Sequence, residues 1–355
     1  MRHTINAFAT PTTIYLSSVA LFAIAMWKME IVVKPLVMIP VVIVTVLGTI
    51  FALTDDHFFK LVTLPDNIPI TIMLATVGYF TWYALKKGVE NDKRLSENRP
   101  LIEQEQDRRV MTWPNLVYIE FICLIAITVF LIFWSIGFQA PLEEPANPTV
   151  TPNPAKAPWY FLGLQEMLVY FDPWLAGVVF PGLIVVGLMA LPYIDPNPKG
   201  NGYYSFKDRR LVIGYYLFGF LIQWVLLIVL GTFMRGPGWS FFGPFQEWDP
   251  HKVEALTNIN LSELLWVKLL NIGLPKNILL REGVGIVVVL GYLVALPPLL
   301  AKTIFKKLYQ ELSFIRFQIM CFLFLAMLSL PIKMILRWTI NLKYIVAIPE
   351  FFFNI

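Results

Sequence analysis

The sequence predicts an all-α fold, a polytopic transmembrane helix bundle of about eight spans. Three observations carry this. Of 355 residues, 57% are hydrophobic and 15% charged, with mean hydropathy +0.65, whereas soluble domains carry about 25% charge. Apolar runs near the ~20 residues that cross a bilayer core as helix recur along the chain. Basic residues concentrate in alternate loops, as topology signals do.

Taken in order, the predicted spans are 13–28, 35–53, 69–87, 115–137, 174–194, 211–233, 283–302 and 315–337. The fourth opens on Thr112-Trp113-Pro114, which offers an N-cap, an interfacial aromatic and a first-turn proline. The fifth opens on Asp172-Pro173-Trp174, the same device, with Asp172 as the cap. Segment 234–282, with Trp239, Phe241, Phe242, Phe245 and Trp248, reads as a surface-lying aromatic loop with a short amphipathic helix near 260–271. The organisation divides into an N-terminal three-helix region over 1–110, a central unit over 111–235, and an aromatic loop plus two helices over 236–355.

About seventeen of the 28 basic residues fall on one side of this arrangement, from Lys28 and Lys34 through Lys86–Arg109 and Lys199–Arg210 to Lys302–Arg316. The positive-inside rule makes that side cytoplasmic and puts 138–173, 234–282 and both termini on the outer side. Acids interleave with the bases over 89–109, a solvated, partly helical pattern that does not address nucleic acid. No charged region followed by a small-residue cleavage site opens the chain, so no signal peptide is expected. Cys123 and Cys321 both fall in apolar runs and read as free thiols. The three histidines, His3, His57 and His251, lie outside the predicted spans and do not pair at helical spacing. Two b-type haems need four axial ligands, so no haem is expected on this chain.

Between spans four and five lies a stiff loop with five prolines from Pro145 to Pro158; proline fixes φ and removes a donor. The run is Glu144-Pro145-Ala146-Asn147-Pro148, then Thr151-Pro152, then Ala157-Pro158-Trp159-Tyr160. It resembles the C-terminal half of cytochrome b in quinol–cytochrome c oxidoreductases, notably the separate subunit IV of the split form. There the run reads Glu-Pro-Ala-Asn-Pro-x-x-Thr-Pro-x-x-x-x-Pro-Glu-Trp-Tyr, and Glu144 to Tyr160 fits it without a gap. The likeness continues through Gly177, Pro181 and Pro192 and covers roughly 112–233.

The resemblance implies a role for this loop as a wall of the outer quinol-oxidation pocket, with Pro158, Trp159, Tyr160, Leu162 and Glu166 against the quinone. Tyr160 either hydrogen-bonds the quinone or serves only as a belt tyrosine. The family's acidic position, to which a quinol proton is assigned, is Pro158 here. Glu166 is the only acid between Glu144 and Asp172. A carboxylate there, among Phe161, Leu162, Leu164, Met167 and Leu168, is partly desolvated and suits a proton acceptor; the alternative is a glutamate facing the headgroups.

The resemblance further implies menaquinol or ubiquinol as substrate and a haem-binding partner like the N-terminal half of cytochrome b. A Rieske-type iron–sulfur protein or a c-type cytochrome would dock on the outer face, the whole complex would be a dimer, and the setting would be a prokaryotic cytoplasmic membrane. A second reading is a membrane anchor or transporter-like subunit without an active quinol site; intramembrane acids would favour a transporter, and Glu120 lies only near the start of span four.

Overall fold

Each predicted apolar run forms a helix, because in hydrocarbon the backbone must satisfy its own hydrogen bonds. The structure, a computed structural model, describes residues 2–105, 110–138, 145, 147–149, 151–196, 205–252 and 257–355. Glu144 of the proline-rich motif, and Arg108, Arg109 and Lys199 of the basic loops, lie outside the described residues. Among these residues seven helices are long and apolar enough to cross a bilayer, or eight with the bent pair at the N-terminus.

In chain order these are α1 (Arg2–Phe8) and α2 (Pro11–Trp27), meeting at 80°; α3 (Pro35–Ala52); the short α4 (Asp56–Thr63); α5 (Ile68–Ser96); and α6 (Thr112–Gly137). Then come the short α7 (Leu162–Met167), α8 (Leu175–Ile194), α9 (Phe206–Met234), α10 (261–269), α11 (Ile278–Lys302) and α12 (Phe314–Ile340). A two-stranded antiparallel hairpin, β1 (Ala347–Ile348) and β2 (Phe353–Asn354), closes the chain.

The connections segregate to two ends. At the basic end, Lys207 pairs with Glu30 at 3.2 Å and the Arg210 guanidinium donates to the Met26 carbonyl. There α5 runs past its apolar stretch: 29 residues at about 1.5 Å each exceed a ~30 Å core. Its extension carries Asp92, which accepts from Ser205 Oγ at 2.7 Å and from the Lys207 amide at 2.9 Å. That carboxylate from α5 caps the first turn of α9, which is why α9 begins at Phe206, ahead of the predicted 211.

At the opposite end, here the loop face, gather α1, α4, the described residues of the proline-rich loop, residues 235–252 and 257–277, and the C-terminal tail. The Asn6 carboxamide accepts from the Phe245 amide at 2.9 Å, and the His57 ring lies 5.8 Å from that of Trp248. The tail docks through Asp172, which accepts from Tyr344 Oη at 3.3 Å and Asn354 Nδ2 at 2.9 Å. This corrects the expected N-cap: the Asp172 carboxylate faces the tail, not the first turn of α8. Nor does Thr112 cap α6; Trp113 is extended (φ −118°, ψ 132°), as a residue before proline favours.

Half of the apolar window of α9 is buried, while none of that of α6 is. So α9 is the central helix and α6 presents its whole surface outward. Around the loop-face half of α9, Leu227, Leu230 and Met234 pack with Tyr15 of α2, Met167 of α7 and Met334 of α12. Short α7 lies directly on α9. A Cβ on Gly231 would sit 3.2 Å from the Leu162 carbonyl oxygen, and one on Gly163 would sit 3.4 Å from the Trp224 carbonyl oxygen. Glycine on both helices lets the two backbones meet at a distance other residues would prevent.

Candidate functional site

The proline-rich loop is fixed to α7 and to the segment after α9. Gln165 clamps it: its Nε2 donates to the Ala155 carbonyl and its Oε1 accepts from the Ala157 amide, both at 2.8 Å. Asn153 accepts from the Gly238 amide at 2.6 Å. Lys156, held between the clamped alanines, donates to the Thr232 carbonyl at 2.7 Å and lies 4.5 Å over the Trp248 ring.

After Pro158, Trp159–Phe161 make one tight turn and α7 follows. Tyr160 and Phe161 are about half exposed, at 47% and 51%. Trp159 meets Tyr160 edge to face, with ring centroids 5.6 Å apart, and Tyr160 lies 4.8 Å from Phe161. Three consecutive aromatics thus stand at the loop face as a partly open apolar wall with one hydroxyl, that of Tyr160.

Leu162 and Glu166 lie on the other side of the same turn. Leu162 is 3% exposed and Glu166 is fully buried. At spacing i, i+4 they share the helix face that packs on α9. The Glu166 carboxylate is bound in a two-pronged pair with Arg235, Nη2 to Oε1 at 2.6 Å and Nε to Oε2 at 2.9 Å. Trp239 Nε1 donates to Oε2 at 3.0 Å, and Tyr170 Oη approaches Oε1 at 3.5 Å. Burial, and next the Glu166 charge, push the Tyr170 phenol far above its usual range.

The expectation placed Glu166 as a partly desolvated base beside the substrate. Its geometry is that of a closed ion pair beneath the wall, with Leu162 beside it, because α7 is amphipathic and the glutamate occupies the inward side. Pro158, Trp159 and Tyr160 stand together on the outward side. The aromatic segment after α9 likewise does not lie on the surface. Phe242 is fully buried, its ring 6.4 Å from that of Trp248, and Lys252 covers it at 4.4 Å while donating to the Phe241 carbonyl at 2.6 Å.

Arg235, Gln165 and Lys156 escaped the sequence reading. Signals existed: Arg235 ends an apolar span, and Lys156 is the only basic residue between Arg109 and Lys199. A buried acid implies a buried base, but sequence alone gives no pairing across 69 positions.

Among the described residues no three His, Cys, Asp or Glu side chains converge to hold a metal. The histidines sit on separate elements: His3 on α1, His57 on α4 and His251 in the segment after α9.

Residues 145–247 match the family model described as cytochrome b (C-terminal)/b6/petD. A menaquinol:cytochrome c reductase cytochrome c subunit of Geobacillus thermodenitrificans is 30% identical over 92 residues, 24% of this chain and 37% of that protein. A cytochrome b of Acanthamoeba castellanii is 31% identical over 81 residues, 23% of this chain and 21% of that protein. The chain thus spans well under two thirds of either relative. No solved structure matches it. The loop that clamps onto α7, the aromatic wall and the Glu166–Arg235 pair all fall within residues 145–247, the segment of this multi-pass membrane protein that is similar to cytochrome b (C-terminal)/b6/petD.

Proposed function

We propose that the chain is a haem-free membrane subunit of a cytochrome bc-type quinol oxidoreductase, and that the wall of Pro158, Trp159 and Tyr160 forms part of its outer quinol-oxidation site. The observation that carries this reading is a rigid, partly open aromatic surface at one membrane face, inside the segment that matches the family. Flat aromatic faces suit a quinone ring, and the Tyr160 hydroxyl can hydrogen-bond a quinone oxygen. The Glu166–Arg235 pair, with Leu162, is a positioning device beneath the wall: it fixes α7 to the end of α9 and so holds the aromatics in place.

The basic end is cytoplasmic by the positive-inside rule, so quinol protons leave on the loop face. The redox chemistry belongs to partners: a b-haem subunit like the N-terminal half of cytochrome b, and a Rieske-type iron–sulfur protein or c-type cytochrome on the loop face, in a dimeric complex of a prokaryotic cytoplasmic membrane. The outward surface of α6 is free for lipid and for a partner's helices. Menaquinol, the substrate named for one relative, is the first to test.

The test is purification of the native complex, with a haem and iron–sulfur inventory, and quinol-driven reduction of a c-type cytochrome. Tyr160→Ala should slow turnover without loss of assembly, because a side chain 47% exposed contributes little to packing. An assembled Tyr160→Ala complex with unchanged turnover and unchanged response to outer-site inhibitors would refute the assignment.

A further inference from the structure

We propose that Lys156 is the proton acceptor for the quinol hydroxyl at the Trp159–Tyr160 wall. The inference rests on the quinol-oxidising reading above and names the base that this reading needs.

Oxidation of a quinol releases protons, and each requires a base within hydrogen-bond reach, directly or through one water. Glu166 is committed on both oxygens to Arg235 and Trp239. Lys156 stands four residues before Tyr160, on the stretch that Gln165 grips at Ala155 and Ala157. That grip sends its side chain inward to the Thr232 carbonyl and the Trp248 ring. Two further polar atoms of these same neighbours, Thr232 Oγ1 and Trp248 Nε1, are buried and find no hydrogen-bond partner among the described residues. Buried polar atoms are nearly always satisfied. A cation with spare N–H bonds beside an unanswered hydroxyl and an unanswered indole N–H is a place suited to a water or a substrate oxygen.

The electrostatics agree. Burial lowers the Lys156 ammonium to about 7, against the upward pull of the Glu166 carboxylate. The other charged or titratable groups around it are Arg235, paired to Glu166; Lys252, over the Phe242 ring; and His57, beside Trp248. Glu247 and Asp249 flank Trp248 in the sequence, and Glu166 is, among the described residues, the carboxylate whose charge acts appreciably on the amine.

The step is a simple transfer. The neutral Nζ keeps one N–H on the Thr232 carbonyl and offers its lone pair to the quinol hydroxyl. The O–H bond breaks, an N–H bond forms, and the electron pair stays on the quinol oxygen. The two electrons leave one at a time to the one-electron acceptors of the partner subunits, iron–sulfur or haem iron, and the second hydroxyl, made acidic by loss of the first electron, gives its proton to water at the loop face. The ammonium then releases its proton to water at the loop face, which restores the neutral amine.

The experiment is the pH–rate profile of quinol oxidation by the intact complex, for wild type, Lys156→Arg, Lys156→Met and His57→Gln. The base form of Lys156 appears above its lowered value, so the wild-type rate should climb as pH rises through about 7. Arginine keeps the charge, the carbonyl bond and the ring contact but does not deprotonate. Both Lys156 variants should therefore lose about 10²-fold in turnover, together with the pH-dependent limb, while His57→Gln keeps both. If Lys156→Arg restores wild-type turnover and the limb while Lys156→Met does not, the lysine is only a structural cation and the proposal is overturned. It is overturned equally if His57→Gln removes the limb. A wild-type complex that oxidises no quinol at any pH takes down the functional reading as well; active quinol oxidation indifferent to Lys156 takes down the lysine alone.

Discussion

Replacing Glu166 with glutamine keeps the side chain's length and one acceptor for Trp239 Nε1 but removes the charge that answers Arg235. The glutamate is fully buried and the arginine is 8% exposed. Breaking a buried pair by removing one partner costs about 3–5 kcal/mol, because the remaining ion stays desolvated and unanswered. Against typical stabilities of about 5–15 kcal/mol this is a large fraction, so Glu166→Gln should lower the melting temperature of the purified complex and loosen the Pro145–Pro158 loop to proteolysis. High salt should change the effect little, since the pair is hidden from the ionic atmosphere. The double variant Glu166→Met with Arg235→Met removes both charges at similar volume and should recover most of the loss, as apolar replacements of buried pairs often do. A thermodynamic cycle over the four proteins isolates the coupling. Two outcomes would refute the reasoning. Wild-type stability in Glu166→Gln means the pair does not hold α7 to α9. A double variant as stable as wild type but about 10²-fold slower gives the carboxylate a chemical role, the low end of general-base contributions.

Two other predictions concern the frame. Single cysteines at Glu97 and at Gln246 should be labelled from opposite sides of intact vesicles, Glu97 from the cytoplasmic side; labelling from the same side would break the alternation of spans. Asp92→Ala removes the cap that α5 places on α9 and should cost about 1–2 kcal/mol in thermal stability, with turnover unchanged in the complex that remains assembled.

Composition and spacing determined the class of this protein. Hydrocarbon leaves a chain few choices, so eight apolar runs become helices whatever their partners, and the basic loops already divide into two ends. The proline-rich loop and its aromatic pair were legible too, because a contiguous motif needs no knowledge of what lies across from it. Direction and pairing were not legible. Glu166 looked like a base because sequence gives its apolar neighbours but not Arg235, which arrives from 69 residues away at the end of another helix. Asp172 looked like a cap because the local pattern fits one, while its partners Tyr344 and Asn354 come from the C-terminal tail. Lys156 drew no notice, since a lone lysine in a polar loop is unremarkable until Gln165 turns it inward onto Thr232 and Trp248. Local propensity and the membrane fix where helices are; which charges meet is decided only when helices distant in sequence pack, because only then is each charge taken out of water and obliged to find a partner.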